Sequence, residues 1–231
     1  MKIKNIIKFI LLIIMFFLGG IIFSLIFHYF GIDPTKFDSK DNAYFQCLAE
    51  LTYAIIIYLA YRKYMQSDYK EFKNGKSKYM DTFVKYLAIF FAVKIASAVL
   101  TSIIGYMIGL ELTDSENQTI IVELTRSAPF MMLLSTSLLA PIVEEGIFRL
   151  SLRKIINNKT VFIILSGLIF GFMHIFPTEI PIAEALTYSI TYVTMGVFLA
   201  YVYADTDNIW IPILLHGTNN LLSMLAILFL G

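Results

Sequence analysis

Two glutamates and an arginine occur in six consecutive residues, Glu144-Glu145-Gly146-Ile147-Phe148-Arg149. The stretch that contains these six residues is otherwise apolar enough to cross a membrane. Each ionisable group inserted into hydrocarbon costs about 2.5–3.5 kcal/mol on insertion scales. Three such groups together therefore need either mutual pairing or a function. We interpret this run as a functional site.

The spacing of these residues assigns them different tasks. Residues four apart share one face of a helix, so Glu145 and Arg149 can form an ion pair. Glu144 points about 100° away from Glu145 and can face a different neighbour. A carboxylate in an apolar cavity suits proton transfer, which makes Glu144 the candidate general base and leaves Glu145 and Arg149 as support. The alternative is a plain charge network at the cytoplasmic interface.

Two further apolar segments carry polar groups of complementary types, His174 in the first and His216 with Asn220 in the second. His216 and Asn220 are four apart and share a face, whereas a lone histidine such as His174 is more often a packing residue. At 1.5 Å rise per residue, these groups and the glutamates lie roughly 10–21 Å from the predicted cytoplasmic ends of their helices. Their similar depth predicts one polar site near the middle of the bilayer.

The composition of the chain, with 58% hydrophobic and 15% charged residues, predicts an all-α, polytopic transmembrane bundle in a lipid bilayer. The net charge of +1 argues against a nucleic-acid partner. Residues 1–125 are predicted to be supporting helices with a basic cytoplasmic loop, and residues 126–231 a four-helix core that holds the site. We predict about seven spans, near 6–30, 44–62, 83–110, 128–156, 160–177, 184–204 and 209–230.

The distribution of basic residues predicts the orientation. Most lysines and arginines fall at the start of span one and in the loops after spans two and four, whereas the opposite loops are acidic, with Asp114, Glu116, Glu123, Glu179 and Glu184. By the positive-inside rule the N-terminus is cytoplasmic and the C-terminus is outside.

The three motifs together resemble the CPBP family, the CAAX-processing and bacteriocin-processing intramembrane proteases that include the Ras-converting type of prenyl endopeptidase. That family shares Glu-Glu-x-x-x-Arg, Phe-x-x-x-His and His-x-x-x-Asn motifs on successive core helices. Here they read Glu144–Arg149, Phe170–His174 and His216–Asn220. Each motif alone is weak, but three in order over about the last hundred residues form a specific signal.

The resemblance implies peptide-bond hydrolysis inside the membrane. Glu144 and His174 would activate a water, and His216 with Asn220 would stabilise the oxyanion. A zinc ion held by His174, His216 and a glutamate is a further implication, but a metal-free glutamate mechanism fits the same residues. No His-Glu-x-x-His signature is present, so the sequence assigns no metal.

The sequence therefore predicts an intramembrane endopeptidase that acts on a peptide precursor, such as a bacteriocin or pheromone precursor, or on a membrane-protein segment. The main alternative is a non-catalytic bacteriocin immunity or scaffolding protein with the same fold. A transporter is less favoured, because no internal duplication is visible.

The predicted orientation can be tested by cysteine labelling after Cys47 is replaced. A cysteine at Ser77 should be shielded from an impermeant reagent in intact cells, because it follows the basic stretch, and a cysteine at Ser115 should react. The reverse pattern would invert the topology and the side from which substrate arrives.

Overall fold

The computed structural model describes residues 2–110, 116–175 and 180–230; Asp114, Ser115 and Glu179 lie outside these ranges. Within them the chain is helical, as predicted, and six helices are long and apolar enough to cross a membrane. The predicted fifth span is a shorter apolar helix of 15 residues. The helices are α1 (Lys2–Tyr29), α2 (Ser39–Asn74), α3 (Lys76–Met107), α4 (Glu116–Ser127), α5 (Pro129–Ser151), α6 (Lys159–Met173), α7 (Ile182–Thr206) and α8 (Trp210–Leu230).

Two helices are longer than the apolar runs from which they were predicted. α2 has 36 residues and α3 has 32, and only Gly75 separates them. At 1.5 Å per residue, α2 is about 54 Å long, against about 30 Å for the hydrocarbon core. Hydropathy marks the lipid-facing part of a helix, whereas the Lys- and Glu-containing stretch between the two spans is a good helix former. The predicted basic loop is therefore largely helical.

The segment before the fourth span also differs from the prediction, which placed it in a loop. Glu116–Ser127 forms the short helix α4. Leu124 and Ala128 pack into a cluster with Ala43 of α2 and Met132 of α5. The helix is stabilised by this packing, which the sequence pattern did not reveal.

The chain divides into two compact units that interleave along the sequence. The first comprises residues 1–66, 120–155 and 216–231, and the second comprises residues 67–119 and 156–215. Each unit therefore draws on both sides of the predicted boundary at residues 125/126. That boundary was drawn by function, from the placement of the motifs, and it stays a prediction.

Contacts in the first unit fix the direction of α5 relative to its neighbours. The Phe16 ring packs edge-on against Phe148, and the Asn5 amide donates to the carbonyl of Lys154, so α1 runs antiparallel to α5. α2 runs parallel to it, because Ala43 clusters with Met132 near the start of both helices and the Tyr61 hydroxyl donates to Ser151 at 2.8 Å further along. These directions agree with the alternation expected of successive spans.

The second unit is built around α7. Tyr86 and Thr101 of α3 hydrogen-bond Asp205 and Thr191 of α7, respectively, so the two helices are antiparallel. At the turn into α8, the Asp68 carboxylate accepts the backbone N–H of Ile209 at 3.0 Å. This bond satisfies a donor at the start of the helix that carries the third motif.

Small residues bring α6 and α7 into backbone contact, as the four-residue spacing of Gly167 and Gly171 predicts. An ideal Cβ at Gly171 would lie 2.6 Å from the Val193 backbone nitrogen, and one at Gly167 would lie 2.7 Å from that of Val197. Because backbone atoms oppose both positions, no side-chain rearrangement can make room for a methyl group.

Gly171→Ala should therefore destabilise the protein by about 1–3 kcal/mol through overpacking. The matched control is Gly20→Ala in α1, where an added Cβ meets nothing within 4 Å. Thermal unfolding in detergent should show a lower melting temperature for Gly171→Ala alone. Equal melting temperatures for the two variants would contradict the close approach.

Candidate active site

Pro141 shapes the helix that carries the first motif. Proline has no N–H to donate and cannot serve the carbonyls of the preceding turn. The helix responds with a π-helical segment at Ser135–Leu139, in which the Ala140 N–H donates to the carbonyl of Ser135. A second π-helical segment, Gly146–Ser151, contains Arg149. Such segments widen a helix locally and are frequent at functional sites.

The third motif fits onto the carbonyls that Pro141 leaves without a helical N–H. The Asn220 side chain donates through Nδ2 to the Thr136 carbonyl at 2.9 Å. One turn earlier, an ideal Cβ on Gly217 would lie 2.6 Å from the Ser137 carbonyl oxygen, so only glycine allows this approach. Asn220 and Gly217 of the third motif therefore bring α8 into contact with the π-helical segment Ser135–Leu139 of α5.

Glu145 and Arg149 form the predicted ion pair in the interior of the first unit. Glu145 Oε2 lies 3.1 Å from Arg149 Nε, and both side chains are fully buried. A buried ion needs a partner, because desolvation costs several kcal/mol per charge. The arrangement confirms the geometry that the four-residue spacing predicted.

His216 connects this pair to Glu144. Its Nδ1 lies 2.9 Å from Glu145 Oε1, and its Nε2 lies 3.8 Å from Glu144 Oε2. A carboxylate can only accept, so Nδ1 carries the hydrogen of this bond. The second contact is too long for a direct hydrogen bond, but it is a close electrostatic contact between two largely buried groups. One imidazole therefore lies between the two motif glutamates.

His174 belongs to the second unit, where it follows the last turn of α6. Its Nδ1 lies 2.8 Å from the Phe170 carbonyl, which requires a hydrogen on Nδ1 and directs a lone pair onto Nε2 when the ring is neutral. The ring stacks on Tyr192 with centroids 4.9 Å apart and packs on Phe170 at 4.4 Å. The imidazole is thereby held in one orientation and one tautomer.

The first unit brings together five of the six predicted residues: Glu144, Glu145, Arg149, His216 and Asn220. His174 is placed in the other unit, and its meeting with Glu144 stays a prediction. Sequence reasoning missed two residues that contact predicted site residues: Thr136, which accepts from Asn220, and Tyr192, which stacks on His174. A proline inside the apolar run of α5 was the available signal for the first, whereas nothing in the sequence singled out Tyr192.

The donor set of the first unit does not fit a zinc site. Among the described residues, no group of three or more His, Cys, Asp or Glu side chains is arranged to hold a metal ion. The His216 Nδ1 is directed at Glu145, whose other oxygen faces Arg149.

Comparisons with known proteins agree with the motifs. Residues 126–222 match the family described as "Rce1-like: Type II CAAX prenyl endopeptidase Rce1-like". The chain is 32% identical over 133 residues to the protein named "Putative membrane peptidase YdiL" of Bacillus subtilis (strain 168), which covers 56% of this chain and 50% of that protein. It is 41% identical over 64 residues to UPF0177 protein YajF of Lactococcus lactis subsp. lactis (strain IL1403), which covers 26% and 32%, respectively.

The chain thus spans half or less of the length of these curated relatives. No solved structure matches it significantly. The matched region contains all three motifs. Residues 126–222 of this chain are therefore similar to the Rce1-like type II CAAX prenyl endopeptidases, the group that the three motifs indicated.

Proposed function

We propose that this protein is a multi-pass membrane endopeptidase that hydrolyses a peptide bond in a peptide precursor or a membrane-protein segment. The observation that carries the proposal is the placement of His216 between Glu144 and Glu145, with Arg149 behind Glu145. Four ionisable side chains in contact are costly in a membrane interior, and a packed apolar core would be more stable. Their retention is explained by chemistry that needs them.

In the proposed reaction Glu144 is the general base. It removes a proton from a water, whose oxygen attacks the carbonyl carbon of the scissile bond and forms a tetrahedral intermediate. The C–N bond then breaks, and Glu144 returns the proton to the leaving amine. The Nε2 lone pair of His174 would accept a hydrogen bond from the same water and orient it.

His216 and Asn220 would stabilise the negative charge that develops on the substrate oxygen. With Nδ1–H bound to Glu145, the Nε2 of His216 is the ring nitrogen left to donate a hydrogen to that oxygen. The Asn220 amide has two hydrogens, of which one is bound to Thr136 and the other can serve the oxyanion. Donors fixed before the reaction are the most effective kind.

Glu145 and Arg149 hold His216 rather than react. Glu145 accepts from the imidazole with one oxygen and faces the guanidinium with the other. The orientation of the ring is thereby set by a residue whose own charge is balanced. This arrangement resembles the way a second carboxylate orients a catalytic histidine in other hydrolases.

The substrate side follows from the topology proposed above. With a cytoplasmic N-terminus and an outside C-terminus, the face of the protein that holds most lysines and arginines is cytoplasmic. Substrate and water would reach the three motif helices from that face. Cleavage near the inner leaflet would then precede or accompany export of the product.

The test of the base is Glu144→Gln, which preserves size and removes the ionisable group. Membrane proteomes from cells that make wild-type or Glu144→Gln protein at matched levels should differ in peptides with new N-termini, because the variant should not cleave. The control is Glu71→Gln, an exposed residue of α2. Identical N-termini for wild type and Glu144→Gln would favour the non-catalytic alternative.

Arg149→Ala tests the supporting role. It leaves Glu145 as a buried charge that has lost its guanidinium, which should cost about 3–5 kcal/mol of stability. Yield and melting temperature in detergent should fall together, whereas Arg62→Ala at an exposed position of α2 should change neither. A wild-type melting temperature for Arg149→Ala would show that the ion pair is not structural.

A further inference from the structure

α2 carries a charged residue at a position where its neighbours are core residues. The buried seam of the helix repeats every three or four residues and comprises Ala43, Cys47, Ala54, Ile57, Tyr61 and Met65, with Glu50 in the same series. This is the spacing of a helix that packs along one partner. A glutamate within such a seam is placed in the interior of the first unit.

The partner of this seam is α5. Ala43 shares a buried cluster with Met132, an added Cβ at Gly146 would lie 2.4 Å from the Ile57 side chain, and the Tyr61 hydroxyl donates to Ser151. The paired residue numbers differ by a nearly constant amount, so the helices run side by side in parallel. Glu50 is thus directed at α5, at the level of the turn that contains Pro141.

Glu144 lies a short distance further along α5. The register places it roughly 6–8 Å beyond the level of Glu50 along the helix axis. Because the two helices are parallel, both side chains lean toward the same end, so a similar axial offset separates the two carboxyl groups.

No lysine, arginine or histidine in the part of the chain that the structure describes forms an ion pair with Glu50. Its Oε2 is buried and makes no hydrogen bond within the protein. The titratable groups that act on it are Cys47 and Tyr53 of its own helix and Glu144 of α5, whereas Gly19 and Phe23 of α1, which pack on Tyr53, are uncharged. Two like charges in a low-dielectric interior repel strongly, so ionisation of both carboxyl groups at once is unfavourable.

We propose that Glu50 is a positioning residue that acts through Glu144: it remains a neutral carboxylic acid and donates a hydrogen bond, through a bound water, to the Glu144 carboxylate. The neutral acid steadies the base without adding a second charge. A buried carboxylic acid can be kept neutral for this purpose by its surroundings. The inference rests on the proposed function, since it assigns the charge to Glu144 as the base.

The first test needs no substrate. In infrared spectra of the full-length protein in membranes at neutral pH, wild type should show the carbonyl stretch of a protonated carboxylic acid. Glu50→Gln should lose that band, and the exposed control Glu71→Gln should keep it. The proposal would be overturned if wild type showed no such band, or if the band persisted in Glu50→Gln.

The second test uses cleavage of the peptides identified by the comparison with Glu144→Gln. Glu50→Gln, neutral and still a donor, should keep wild-type cleavage at neutral pH. Glu50→Leu, of similar size but without a donor, should lose about tenfold, equivalent to about 1.4 kcal/mol in the transition state. In wild type, ionisation of Glu50 at alkaline pH should lower cleavage, and Glu50→Gln should abolish that decline.

The outcomes separate the two proposals. If Glu144→Gln cleaves like wild type, the proposed function fails, and the infrared band still decides the state of Glu50. If Glu144→Gln is inactive while Glu50→Leu matches wild type in rate and pH profile, only the role of Glu50 fails. A Glu50→Leu variant that melts earlier but keeps the alkaline decline would show a structural role instead.

Discussion

The organisation of the first unit depends on the burial of an ion pair. Glu145 and Arg149 have no exposed surface. Removal of either side chain would leave the other as an unpaired buried charge and would lower the stability of the protein by several kcal/mol. Because the pair lies in the C-terminal half of α5 and is fully buried, neighbouring helices must supply the remaining polar contacts, and α8 does so with His216. The position of the imidazole, and through it the environment of Glu144, follows from this one constraint.

The backbone of α5 adds a second constraint, of opposite character. The ion pair requires polar partners for side chains, whereas Pro141 requires them for main-chain carbonyls. Both requirements are met by the same five-residue stretch of α8, from His216 to Asn220. The docking of α8 is therefore specified by hydrogen-bonding groups as well as by apolar packing, which has little power to select one register in a bilayer.

Much of this architecture was predictable from the sequence, and the exceptions have physical reasons. The apolar runs predicted the membrane spans, and the spacing of Gly167 and Gly171 predicted a close approach to a neighbouring helix but not that this helix is α7. Hydropathy could not predict that α2 and α3 continue through a basic stretch, since helix formation there does not depend on lipid. The motif residues were identifiable by type and spacing, but the contact of His216 with Glu145 depends on how two distant segments pack. Glu50 lay in an apolar run with no nearby partner in sequence, so only the register of α2 against α5 draws attention to it.

The bond between Asn220 and the Thr136 carbonyl has a consequence for the entropy of catalysis. A free asparagine side chain samples several rotamers and must be restricted before it can bind an oxyanion. Here the Thr136 carbonyl, in the turn before Pro141, accepts a hydrogen bond from the Asn220 amide and restricts its rotamer. The entropy cost of this restriction is met when the protein folds and not again in each turnover. In the proposed mechanism, a proline that touches no reacting atom would thus lower the activation barrier, because the reorganisation of the oxyanion donor would be complete before substrate binds.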